Sequence, residues 1–168
     1  TLTNAILVLA IQECGNEDTA YLFTEGEETG LTGMRNFMNT IYKDFKEKPF
    51  FVNLDVTNEF FNQKHISVEF DYPNFDICKQ IFKLNPESGY THIRFTDDTS
   101  AIINGGGNGF SFCIPTDKYC HTYDSNTRLS SLEPYYNGVV SLIKNVDFSN
   151  YVHDMKTLET KQIIVYSF

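Results

Sequence analysis

The spacing of apolar residues changes along the chain, and the main change lies near Gly89. Before this point most apolar residues recur at helical spacing, whereas after it they form short alternating runs bounded by turn residues. Helices and strands that each have one apolar face must bury those faces against one another. The sequence therefore predicts an α+β fold in which N-terminal helices pack on a mainly antiparallel sheet.

The first half contains three helical patterns. Residues Leu2–Cys14 are apolar around the whole helix axis, which predicts a buried helix that ends at Gly15. Residues Leu31–Phe45 have the apolar spacing of an amphipathic helix, with Thr32 as a candidate N-cap. A third helix is predicted over Pro73–Leu84, where the proline suits the first turn. Extended segments are predicted at Phe50–Leu54 and His65–Phe70.

The second half is predicted to supply most of the sheet. Glycine, proline and aspartate divide it into short runs, which is typical of a meander of strands. An irregular loop is predicted over Thr127–Gly138 and a helix over Asp147–Leu158. No segment has the composition of a linker, so residues 1–168 are predicted to form a single domain. The predicted strands are Tyr90–Phe95, Thr99–Ile103, Phe110–Ile114, Lys118–Tyr123, Val139–Ile143 and Gln162–Phe168.

Charge and hydropathy exclude several classes of partner. The chain has 22 acidic and 13 basic residues and a net charge of −9, which disfavours nucleic acid and anionic membrane surfaces. The longest apolar run, Ala5–Ile11, is far shorter than the roughly 20 residues that a membrane-spanning helix needs. Four scattered cysteines predict reduced thiols in an intracellular protein, with a secreted protein carrying two disulfides as the alternative.

Three motifs with chemical potential are better explained as structural elements. The run Asn104–Gly109 (NGGGNG) lacks the following lysine and helix start of a phosphate loop, so a turn is favoured. The spacing of Cys113, Cys120 and His121 is not that of a zinc site. The His-x-Ser motif at His65 lacks the second copy that phosphodiester chemistry needs. Neither a cofactor nor a metal site is therefore predicted.

One predicted strand end resembles a known catalytic motif. The segment 123–128 (YDSNTR) is similar to the aromatic–Asp–x–His strand end in the deubiquitinating domain of herpesvirus large tegument proteins, with Asn126 in place of the catalytic histidine. The segment 1–9 (TLTNAILVL) is similar to the family's first helix, with Thr1 at the position of the nucleophilic cysteine. The resemblance implies a papain-like cysteine-peptidase fold with Thr1, Asp124 and Asn126 at the positions of Cys, Asp and His.

The two replacements imply that catalysis is lost. A cysteine peptidase needs a thiolate beside an imidazole base, and threonine and asparagine supply neither. The resemblance therefore implies a catalytically degenerate deubiquitinase-like domain that acts in binding or in virion scaffolding. One alternative is an active ubiquitin-specific cysteine-type peptidase or other hydrolase, in which Thr1 uses its own amine or His121 replaces the missing base. A purely structural virion domain is the other alternative.

The same resemblance implies a protein partner and a viral setting. Ubiquitin or other proteins, such as neighbouring viral proteins, are the expected partners. The expected location is the host cytoplasm or nucleus, or the virion tegument.

Overall fold

The computed structural model describes residues 2–17, 19–57, 66–70, 75–84, 88–91, 97–115 and 129–146. These residues form helices and one mixed sheet, so the predicted α+β class is confirmed. The helices are α1 (Leu2–Cys14), α2 (Thr32–Asn39), α3 (Ile41–Asp44), α4 (Phe75–Leu84), α5 (Asp98–Asn104) and α6 (Leu129–Asn145). The strands are β1 (Phe50–Thr57), β2 (Ile66–Phe70), β3 (Ser88–Thr91) and β4 (Asn108–Pro115).

The strand order in the sheet is β1-β4-β2-β3. Strands β1 and β4 are parallel, as are β2 and β3, whereas β2 and β4 are antiparallel. The prediction of a mainly antiparallel meander is therefore wrong, and this sheet does not show the papain-like architecture that the resemblance implies. A parallel pair needs a crossover connection, and α4 supplies the crossover between β2 and β3.

One face of the sheet carries the larger apolar core. Alternate residues of β1 and β4 point to this face, where α1, α4 and α6 cover them. At its centre the ring of Tyr135 stacks on that of Phe112 with centroids 5.4 Å apart, and its hydroxyl donates to the Phe112 carbonyl oxygen at 2.9 Å. The buried residues of this core are Ile6, Ala10, Ile77, Ile81, Phe110, Phe112, Ile114, Tyr135, Val139 and Leu142.

The opposite face of β1 and β4 is covered at one end by α2, α3 and α5. There the ring of Phe51 packs against that of Tyr42, with centroids 5.8 Å apart. Gly109 is the strand partner of Phe51, and a Cβ atom at Gly109 would lie 2.4 Å from the Phe51 carbonyl oxygen. Two positions further along, the same face presents Asn53 and Ser111 and becomes polar.

The helical predictions for the first half are confirmed in place but not in every detail. Helix α1 has the predicted bounds, but Val8 is 44% exposed and Leu9 is 54% exposed, because α1 packs on one side only, against α6 and β1. The second predicted helix is divided into α2 and α3 at Thr40. Thr32 does not cap α2, because Leu31 occupies the N-cap position with a φ of 60°. Among the described helices none is long and apolar enough to cross a bilayer.

Two predicted strands are helical. The segment Thr99–Ile103 lies inside α5, because the Asp97 side chain caps this segment by accepting the backbone N–H of Ser100 at 3.2 Å. The segment Val139–Ile143 lies inside α6, where buried residues recur at helical spacing. Helix α6 also includes most of the predicted loop Thr127–Gly138.

The remaining predicted segments divide into those that the structure tests and those that it does not. Confirmed in place are the strands at Phe50–Leu54, His65–Phe70 and Phe110–Ile114 and the helix at Pro73–Leu84. The strand predicted at Tyr90–Phe95 overlaps β3 in its first two residues. Lys118–Tyr123, Asp147–Leu158 and Gln162–Phe168 lie outside the described residues.

We expect Tyr135→Phe to lower the free energy of unfolding by about 1–3 kcal/mol, because the buried Phe112 carbonyl oxygen loses this donor while the stacked ring remains. Urea unfolding followed by circular dichroism measures the change. The matched control is Tyr136→Phe, which removes a hydroxyl that donates to the exposed carboxylate of Glu13, and a smaller loss is expected there. Equal losses in the two variants would contradict the importance assigned to the buried bond.

Candidate functional site

The sequence-predicted catalytic residues Thr1, Asp124 and Asn126 lie outside the described residues. Their assignment stays a prediction, as do the single-domain organisation, the protein partners, the absence of nucleic-acid and membrane partners, and the cellular location. Cys113 is buried in β4, in agreement with its structural interpretation.

The glycine run after α5 ends that helix. The backbone N–H groups of Gly105, Gly106 and Gly107 donate to carbonyl oxygens in the last turns of α5 at 2.9 to 3.2 Å. Gly106 has a φ of 83°, which glycine adopts without strain. The predicted turn is confirmed, although it joins a helix to a strand rather than two strands. Because the chain itself uses these donors, they do not form a phosphate cradle.

Polar side chains converge on the second face of the sheet, where α5 begins. The Ser111 hydroxyl donates to Asp97 Oδ2 at 2.5 Å and lies 2.5 Å from Thr99 Oγ1. Asn53 Nδ2 donates to Ser111 Oγ at 3.3 Å and to Asp97 Oδ2 at 3.4 Å. A serine hydroxyl has one hydrogen, so Thr99 is the donor in its bond to Ser111. We call Asn53, Asp97, Thr99 and Ser111 the polar cluster.

Both carboxyl oxygens of Asp97 are engaged. Its Oδ1 atom accepts the backbone N–H of Ser100 at 3.2 Å, and its Oδ2 atom accepts from Ser111 and Asn53. Burial raises the pKa of Asp97 above its usual value, and the hydrogen bond from Ser111 is the largest influence that opposes the rise. A carboxyl group with all these partners serves to hold α5 on the sheet.

The neighbouring Asp98 has a different environment. Its Oδ2 atom accepts the Thr24 hydroxyl at 2.6 Å, but its buried Oδ1 atom has no hydrogen-bond partner among the described residues. The hydroxyl of Tyr21, three residues before Thr24, is likewise buried without a partner there. Asp98 is only 6% exposed, and a buried carboxyl oxygen without a donor is costly. Such atoms call for a ligand, an ion or a water molecule, so Asp98 is the candidate binding side chain.

The fit of this site to a metal ion is limited. Over the part of the chain that the structure describes, no three or more His, Cys, Asp or Glu side chains group in a way that could hold a metal ion. Asp97 and Asp98 are adjacent, but the oxygens of Asp97 are already occupied by donors of the chain. The described residues therefore offer hydrogen bonding and charge, centred on Asp98.

The sequence prediction misses this site because it treats residues 97–98 as a break between two strands. The signal that finds it is an aspartate three residues before a serine, at the start of a segment that then becomes apolar. This is the pattern of an N-cap followed by a helix. The bond between Thr24 and Asp98 joins residues 74 positions apart and has no local signal in the sequence.

The fold is similar to that of solved archaeal peptidases. The TET1 peptidase of Pyrococcus horikoshii matches with a TM-score of 0.63 and 16% identity over 84% of this chain and 46% of that chain. The aminopeptidase APDkam598 of Desulfurococcus kamchatkensis matches with a TM-score of 0.66 and 17% identity over 95% of this chain and 51% of that chain. A TET aminopeptidase of Thaumarchaeota archaeon SCGC AB-539-E09 matches with a TM-score of 0.61 and 17% identity over 89% of this chain and 48% of that chain. This chain thus spans about half the length of these structures. No protein-family model and no curated protein matches the sequence.

These neighbours overturn the predicted family. The resemblance to herpesvirus tegument deubiquitinases is wrong, and so are the degenerate-deubiquitinase function and the viral and ubiquitin-related description that followed from it. The segments Thr99–Ile103 and Val139–Ile143, which are predicted as strands, lie in helices α5 and α6. Matches of a few residues occur by chance, whereas the structural similarity extends over most of the chain.

We expect the free energy of unfolding of Asp97→Asn to rise relative to that of the unchanged protein as the pH rises from about 4 to 7. The raised pKa of Asp97 means that, above the unfolded value of 3.8, the folded state holds its proton more tightly than the unfolded state does. The folded protein therefore loses stability as the pH rises through this window, and asparagine, which does not titrate, avoids that pH-dependent loss. Urea unfolding at each pH measures the difference.

The control for this experiment is Asp44→Asn, which removes an exposed carboxyl group on α3. This variant measures what an aspartate-to-asparagine replacement does to urea unfolding when the side chain is exposed. A difference for Asp97→Asn that stays constant, or that falls with rising pH, would contradict the expected sign.

Proposed function

We propose that the protein acts as an aminopeptidase and releases residues from the N-terminus of peptides. The observation that carries the proposal is the similarity of its fold to archaeal aminopeptidases, with TM-scores of 0.66 and 0.61. The chain spans about half the length of those proteins, so the proposal is limited to the site that this chain builds itself, around Asp98.

Asp98 suits the recognition of a free amino terminus. An aminopeptidase distinguishes its substrates by their terminal ammonium group, and a carboxylate oxygen is the natural acceptor for such a group. The Thr24 hydroxyl occupies Oδ2 at 2.6 Å, while Oδ1 receives no donor from the described residues. Asp98 therefore keeps one oxygen for a substrate donor, and burial strengthens that interaction by excluding water.

Asp97 has a supporting part in this proposal. Both of its oxygens already accept from donors of the chain, namely Ser100, Ser111 and Asn53. The same bonds fix the peptide unit that leads into Asp98, the first residue of α5. The adjacent aspartates thus have different roles. Asp97 holds the start of α5, and Asp98 binds the substrate.

The test measures release of p-nitroaniline from a panel of aminoacyl-p-nitroanilides and from their N-acetylated counterparts. Assays are run with and without added Mg²⁺, Mn²⁺, Co²⁺ or Zn²⁺. We expect hydrolysis of free aminoacyl substrates only, because acetylation removes the ammonium group. Asp98→Asn should lower kcat/KM about tenfold or more, corresponding to about 1.4 kcal/mol of lost transition-state stabilisation.

Asp44→Asn is again the matched control, and its kcat/KM is expected to equal that of the unchanged protein. Absence of hydrolysis of every free aminoacyl substrate under all conditions would overturn the proposed activity. Equal hydrolysis of acetylated substrates, or an unchanged kcat/KM in Asp98→Asn, would overturn the role of Asp98.

A further inference from the structure

We propose that Ser111 is a positioning residue whose hydroxyl holds the start of α5 on the sheet, so that Asp98 presents its carboxyl group in one orientation. This inference rests on the proposed function, because the orientation of Asp98 affects activity only if Asp98 binds the substrate. Ser111 itself is 0% exposed and therefore does not touch the substrate.

The location of Ser111 makes it a rigid anchor. It lies on β4, an inner strand of the sheet with β1 on one side and β2 on the other. Its register partner on β1 is Asn53, whose amide donates to the Ser111 oxygen at 3.3 Å. A hydroxyl fixed by two paired strands has little freedom to rotate, so it defines the position of whatever it binds.

The hydrogen-bonding capacity of this hydroxyl is fully used. Its one hydrogen goes to Asp97 Oδ2 at 2.5 Å, and its oxygen accepts from Asn53 and Thr99. Two of these partners, Asp97 and Thr99, flank Asp98 in the chain. Ser111 therefore holds the side chains of the residues on both sides of Asp98.

A second attachment reaches Asp98 from outside α5. The Thr24 hydroxyl binds the Asp98 carboxyl group directly, from the segment that precedes α2. The Ser100 hydroxyl donates to the Asp97 carbonyl oxygen at 2.8 Å and completes the cap. With its neighbours in the chain held by Ser111 and its carboxyl group held by Thr24, Asp98 has one orientation.

Ser111→Ala removes none of the titratable groups around Asp97. Asp98 adjoins it on α5, and Asp55 on β1 and Cys113 on β4 follow Asn53 and Ser111 on the same face of the sheet. A change in the titration of Asp97 therefore reports the lost hydroxyl together with any movement of Asp98 that the loss causes.

The test compares Ser111→Ala with Ser111→Thr, which keeps the hydroxyl. In protein labelled with ¹³C at aspartate carboxyl groups, NMR follows Asp97 and Asp98, assigned with Asp97→Asn and Asp98→Asn. In Ser111→Ala we expect the pKa of Asp97 to rise further and the Asp98 resonance to shift. We also expect kcat/KM for an aminoacyl-p-nitroanilide to fall about tenfold or more, with recovery in Ser111→Thr.

Ser141→Ala is the matched control, because it removes a serine hydroxyl on α6 that accepts from Asn145. It should leave the titration of Asp97, the Asp98 resonance and kcat/KM unchanged. If Ser111→Ala does not fold, Thr99→Val takes its place, since it removes the donor to Ser111 with little change in shape. The Asp98 resonance is expected to shift in that variant also.

An unchanged Asp98 resonance in the variant that folds would overturn the positioning role, as would unchanged kcat/KM despite a shifted resonance. If the unchanged protein hydrolyses no aminoacyl substrate, the proposed function fails. In that case the Asp98 resonance alone decides whether Ser111 sets the orientation of Asp98.

Discussion

The hydrogen bond between Ser111 and Asp97 is the interaction on which the polar half of the structure depends. A carboxyl group that is 7% exposed has lost most of its water, and only fixed donors compensate for that loss. Ser111 and Asn53 supply those donors because the parallel pairing of β1 and β4 places them side by side. The start of α5 follows from where Asp97 is held.

The sheet can hold this polar site because its two faces differ in polarity. The face under α1, α4 and α6 is apolar from Phe50 to Leu54 on β1 and from Phe110 to Ile114 on β4, and it provides the larger core. The other face begins with Phe51 packed under Tyr42 and becomes polar within two residues, at Asn53 and Ser111. Apolar burial on one side thus supports a buried polar cluster on the other.

Much of the local structure was predictable from the sequence, whereas the sheet order and the candidate site were not. Apolar patterning of the sequence located α1, α4, β1, β2 and β4. The patterning failed for α5. Threonine and isoleucine favour a strand there, but the N-cap Asp97 stabilises a helix. It failed again for α6, which contains Pro134 and Gly138, two residues that usually mark loops. Hydrogen bonds between residues far apart in the chain, such as Thr24 and Asp98, cannot be predicted from the spacing of apolar residues.

The parallel pairing of β1 with β4 also has a consequence for synthesis on the ribosome. Asn53 and Ser111, which face each other across this pair, are 58 residues apart in the chain. At about 5–20 residues per second, β1 emerges roughly 3 to 12 s before its partner strand. During that interval its apolar residues Phe50, Val52 and Leu54 have no β4 on which to pack. The strand β1 therefore cannot complete its pairing until β4 has emerged, whereas β2, α4 and β3 form the first parallel unit that emerges complete.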